Sequence, residues 1–161
     1  MWQPLKNFVN SLTTYMALSP DMVARQRVNQ WLRSRRCLTC DEWYRYHWTP
    51  PAVRRPLPKP LIDFTYQQLT AYSGLEIGCV KPSDRLVEDL AFPAVCWFDW
   101  SLTLCEDFYE TFGLDISEHF DETQLLTCAD LVSFLEQQLE SRQDEETGEI
   151  EGDEGDRGVL R

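Results

Sequence analysis

Residues 93–112, PAVCWFDWSLTLCEDFYETF, decide how this chain is read. Phe98, Leu102, Cys105, Tyr109 and Phe112 recur at three- and four-residue intervals and so share one face of an α-helix, while Trp97, Leu104 and Phe108 widen the apolar stripe. The spacing predicts one helix from about Pro93 to Phe112, stopped by Gly113 and either mostly buried or exposing an adhesive apolar edge. No stretch shows the two-residue alternation of a half-buried strand, and the chain reads as all-α.

Downstream, Thr127 and Asp130 form a short-armed capping box, and Leu131, Val132, Leu135 and Leu139 supply the inner face of a last helix ending near Leu139. Residues 140–161 hold nine acidic side chains and almost no apolar ones, which predicts a solvated, disordered tail. Upstream, Leu61, Phe64 or Thr65, Leu69 and Tyr72 line one side of a helix that Ser73-Gly74 closes, and Pro82-Ser83-Asp84 reads as a turn. Residues 49–60, TPPAVRRPLPKP, contain five of the nine prolines and read as a stiff, extended linker.

Before that linker, residues 1–48 form an expected basic helical module. Leu5, Phe8, Val9, Leu12, Tyr15 and Met16 make a short amphipathic helix ending near Leu18. Ser19 as N-cap, Pro20 at the first helical position and Asp21 behind it start a second, whose modest apolar face is Met22, Val28, Trp31 and Leu32. Thr39 and Glu42 have the spacing of a full capping box, which predicts a third helix through DEWYRYHW.

The net charge of -12 is unevenly divided: residues 1–60 carry ten Lys/Arg against three Asp/Glu, and residues 61–161 carry five against twenty-four. Either the two parts attract each other or they face different partners. The sequence contains no run of eighteen apolar residues, and its first residues lack the pattern of a secretory signal, so the default compartment is the cytoplasm. In that compartment the six cysteines are expected as reduced thiols.

Residues 61–139 resemble the acyl carrier proteins, small four-helix bundles. The resemblance rests on LTAYSGLEIGCVKPSDRLVEDL, FYETFGLDI and LLTCADLVSFLEQQL. In that family the loop resembling VKPSDRLVEDL leads into a serine that carries 4'-phosphopantetheine, but counting forward from Leu90 reaches Ala94, and counting back from Phe112 reaches Phe98. Ser101, in DWSL, is the one hydroxyl near the expected place, and its use demands a longer loop and a shorter helix.

The resemblance therefore implies an acyl-carrier-like bundle kept as a recognition module with no cofactor and no catalytic residues. Its acidic second helix would dock a basic patch on another protein through Trp97, Asp99, Trp100, Glu106 and Asp107, unless those aromatic rings pack against the N-terminal module instead. One alternative is a divergent carrier modified on Ser101. Another is a binder of nucleic acid or anionic membrane surfaces through Arg25, Arg27, Arg33, Arg35, Arg36, Arg54, Arg55 and Lys59, interleaved with Trp43, Tyr44, Tyr46 and Trp48. Cys37 and Cys40 have the spacing of half a zinc site, but no second close pair accompanies them and no metal is expected. His47 and His119 have no nucleophile motif beside them, and no enzymatic activity is expected.

Overall fold

The computed structural model describes Thr14, residues 18–49 and residues 55–150, with the backbone alone for 146–150. The first amphipathic helix, apart from Thr14 and Leu18, and residues 50–54 and 151–161 lie outside the described residues. The described chain is helical: α1 (Met22–Leu32), α2 (Cys40–Trp43), α3 (Lys59–Ser73), α4 (Phe92–Val95), α5 (Trp100–Phe112) and α6 (Cys128–Ile150), with no strand among the described residues. A single bridge between Arg85 and Thr127 ties the long α3–α4 connection to the start of α6.

Local chemistry sets most helix ends. Thr39 and Glu42 make both arms of the predicted capping box at α2, and Thr127 and Asp130 bond reciprocally at the head of α6. Gly74 and Gly113 close α3 and α5 in the left-handed conformation, at φ 64° and 70°. The start of α1 differs from expectation. Asp21, not Ser19, is the N-cap, its carboxylate accepting from the backbone N–H groups of Val23 and Ala24. The last helix also runs beyond Leu139, through ESRQDEETGEI to Ile150. Glu, Gln and Arg are good helix formers whatever their solvation, and Arg142 from this extension donates to the Phe112 carbonyl at 2.7 Å, capping α5.

One core runs through all of this. Val28, Leu32, Trp43 and Trp48 belong to the same buried cluster as Leu61, Leu69, Leu90, Phe108 and Leu135, so residues on both sides of the proline-rich segment share it. Trp43 donates its indole N–H to the Val80 carbonyl at 2.8 Å, and Asn29 bonds the Gly74 carbonyl and the Glu76 N–H at 2.9 Å each. Arg35 forks onto the buried Asp84 at 2.6 and 3.0 Å.

The expected long helix over 93–112 is broken. It becomes α4 and α5, joined through an extended Cys96. The cause is tertiary. The last carbonyls of α4 are taken by α1, Ala94 accepting from the Asp21 N–H at 2.8 Å and Val95 from the Arg25 guanidinium at 2.8 Å. A helix whose terminal carbonyls are satisfied from outside gains little by continuing.

The cysteines bring a second correction. Cys37 and Cys79 form a disulfide, and Cys40, Cys96, Cys105 and Cys128 remain free. The Leu38 N–H donates to the Gly78 carbonyl at 2.9 Å, which lays the extended segment after α1 along residues 77–79 and brings the two cysteines together. The described residues contain no helix long and apolar enough to cross a membrane.

Candidate protein-binding surface

The break after α4 resets the phase of α5. Trp100, Leu104, Cys105 and Phe108 form its buried face, with Trp100 only 7% exposed. Leu102 and Tyr109, on the stripe that the sequence leaves open as core or adhesive edge, stand 64% and 58% exposed, and Phe98 just before the helix is 63% exposed. On a helical projection Leu102, Glu106 and Tyr109 fall on one side, opposite Leu104 and Phe108. Glu106 and Glu110 are also exposed, and the outer face of α5 is therefore an apolar ridge studded with carboxylates.

The five residues expected to contact a partner separate accordingly. Trp97 and Glu106 are exposed and Asp99 is half-buried at the N-cap position of α5. Trp100 is turned inward, its ring edge-on to Phe92 at 5.3 Å and to Phe120 at 6.2 Å, so it is core and not contact surface. Asp107 is half-buried and accepts the Tyr72 hydroxyl, whose ionisation burial and that carboxylate both oppose. Leu102 and Tyr109 complete the ridge. Their signal in the sequence is the apolar stripe itself, whose side periodicity alone leaves open because the helix break does not show in it.

Beside the ridge lies a groove of about 330 Å³, walled by Val87, Phe92, Pro93, Trp97, Phe98 and Trp100 among others. Ser101 is on the first turn of α5 and half-exposed.

Most of the basic residues already face an acceptor within the chain. Arg33 pairs with Glu76 at 3.1 Å, Arg35 with Asp84, Arg36 with Glu42 at 3.7 Å and Arg55 with Glu140 at 3.0 Å. Lys59 bridges Asp41 and Asp63 at 3.0 and 2.8 Å, and those hydrogen bonds hold its ammonium protonated above the usual range. Arg25 serves the Val95 carbonyl, Arg27 is exposed, and Arg54 lies outside the described residues.

Cys37 and Cys40 do not act together. Cys37 is in the disulfide, whereas the Cys40 thiol donates to Asp63 at 3.3 Å and is pushed up to about 11, first by burial and then by that hydrogen bond. Such a thiol is a poor nucleophile near neutral pH. Burial likewise raises Cys96 and Cys128 to about 12. The described residues contain no group of three or more His, Cys, Asp or Glu placed to hold a metal ion. His119 is exposed, and His47 is half-buried on a π-helical turn, Tyr44–Trp48, that continues α2.

Comparison with protein-family models, with curated proteins and with solved structures returned no match.

Proposed function

We infer that this protein is a non-catalytic adaptor that binds another protein through the outer face of α5. The observation carrying the reading is the exposure of Leu102 and Tyr109, at 64% and 58%, on a ridge shared with Glu106 and flanked by Glu110, with Phe98, 63% exposed, just ahead of the helix. Large apolar side chains gathered on one face mark interaction sites, and aromatic residues among them are common anchors. The carboxylates favour a partner with a basic docking patch.

The frame under this surface is acyl-carrier-like over residues 61–139. What supports that is the order of α3, a long connection, α5, a 3₁₀ turn at Glu122–Gln124 and α6, laid over the segments that resemble the carrier family. The test is affinity capture with the full chain and with Leu102→Asp and Glu106→Lys, both changes at exposed positions. The reading expects a protein retained by the native chain and lost with either variant at unchanged helicity. An identical captured set from all three chains counts against it.

A second reading, a divergent carrier bearing 4'-phosphopantetheine, has one observation in its favour. Ser101 is half-exposed on the first turn of a thirteen-residue helix and two residues beyond Asp99, so its hydroxyl fits an attachment point. When bound, the group supplies a thiol arm for acyl cargo. Intact mass after co-expression with a broad phosphopantetheinyl transferase tests it: a carrier gains the mass of one arm and Ser101→Ala does not, while an unmodified native chain ends that reading.

A further inference from the structure

A concave notch of about 320 Å³ lies where the segment after α1, the π turn and the 77–81 segment meet, lined by Arg35, Arg36, Tyr46, His47 and Lys81 over a floor of Leu38 and Cys79. No carboxylate lines it, although the protein carries a net charge of -12. Among the described residues Lys81 forms no ion pair, unlike Arg33, Arg35, Arg55 and Lys59. Arg36 is mostly exposed and reaches Glu42 only at 3.7 Å. Two cations thus converge with little internal compensation.

The walls are also fixed in advance. The Arg35 guanidinium is held by its fork on Asp84 and sits 4.2 Å from the centre of the Trp31 ring. The disulfide and the Leu38–Gly78 hydrogen bond brace the floor. Tyr46 and His47, their rings edge to face at 5.1 Å, reach the notch from a π-helical turn, a rare geometry that recurs at functional sites. Burial and the Lys81 charge favour neutral His47, against an opposing influence from Asp84. An arriving anion would reverse the Lys81 effect.

We propose that this notch binds the phosphate groups of a small phosphorylated molecule, with Lys81 and Arg36 as the adaptable cations and His47 as a further donor, while Arg35, already paired with Asp84, stiffens the wall. Guanidinium and ammonium groups together suit a polyanionic phosphate, the first by planar hydrogen bonding and the second as a point charge. Exposed Tyr46 stands at the rim, where a ring attached to that phosphate would rest. The site is independent of the α5 surface, and either can fail without the other.

The experiment uses the full chain and inorganic pyrophosphate, read by NMR at the two imidazoles, since the sequence has only His47 and His119. The groups facing His47 are Tyr46, Lys81, Asp84, Arg35 and Arg36. Pyrophosphate should bind at about millimolar concentration or tighter. It should raise the His47 titration midpoint by about half a pH unit or more and leave His119 in place. Lys81→Gln and Arg36→Gln, both at exposed positions, should each weaken binding about fivefold or more. The proposal is overturned if chloride at matched ionic strength gives the same shift, if citrate binds as tightly as pyrophosphate, if both histidines respond alike, or if both variants bind as the native chain does.

Discussion

Replacing Trp100 and, separately, Leu102 by alanine tests the orientation of α5 from both sides. Trp100 is 7% exposed and packs edge-on against Phe92 and Phe120, so its removal leaves a large cavity among rings that cannot all collapse into it. Buried Trp→Ala changes cost about 3–5 kcal/mol, and the two ring contacts place this one in the upper part of that range. Leu102 is 64% exposed on the same helix, and alanine keeps the helix propensity, which limits the expected change to about 0.5 kcal/mol in either direction. Urea unfolding should be followed by far-ultraviolet circular dichroism, because deleting a tryptophan alters the fluorescence. With a slope of about 2 kcal/mol per molar, Trp100→Ala should lower the midpoint by about 2 M and Leu102→Ala by under about 0.3 M. Equal losses, or a larger loss at Leu102, would show that the stripe Phe98–Leu102–Tyr109 faces inward and that the ridge does not exist.

Four further outcomes follow from the structure. Alkylation in denaturant without reductant should label four cysteines, the Cys37–Cys79 pair being protected, and prior reduction should expose all six; six without reductant would remove the disulfide from this account. Reduction should also destabilise the chain by up to about 4 kcal/mol, the chain-entropy value for a span of 42 residues. Gly78→Ala should cost several kcal/mol in the same urea assay, since an added Cβ would run into the Leu38 backbone carbonyl, and a neutral result would contradict the close approach of those segments. Asp89 accepts hydrogen bonds from the Arg85 side chain and backbone, and these lower its carboxyl to about 2. A depressed carboxylate stabilises the fold above its unfolded value and loses that contribution as pH falls through the folded one, so Asp89→Asn should flatten the loss of stability between about pH 4 and pH 2. An unchanged acid profile would refute the assignment.

Features encoded by neighbours in the sequence could be read directly. The Thr39–Glu42 and Thr127–Asp130 caps, the glycine stops at 74 and 113 and the inner face of α3 all depend on residues within one or two turns. What escaped depends on partners far along the chain. Both sides of residues 98–112 are apolar, so periodicity permits either Phe98–Leu102–Tyr109 or Trp100–Leu104–Phe108 as the core stripe. The choice falls to Asp21 and Arg25, more than sixty residues away, which end α4 at Val95. Cys37 lies three residues from Cys40 but bonds Cys79, a partner brought close only by the Leu38–Gly78 contact. The notch is of the same kind: Lys81 joins Arg36 and His47 only through the fold, while Arg35, grouped with a surface patch by sequence, is largely occupied by Asp84.

Site-specific photo-cross-linking addresses the binding ridge most directly. A photoreactive phenylalanine analogue placed at Tyr109 of the full chain, and as a control at exposed Gln67 on α3, is irradiated in native extract and the adducts are identified by mass. One dominant protein adduct is expected from position 109, carrying a basic surface and absent from position 67, and it should disappear when Glu106→Lys is added. Adducts shared by both positions, or a 109 adduct indifferent to Glu106→Lys, would contradict it.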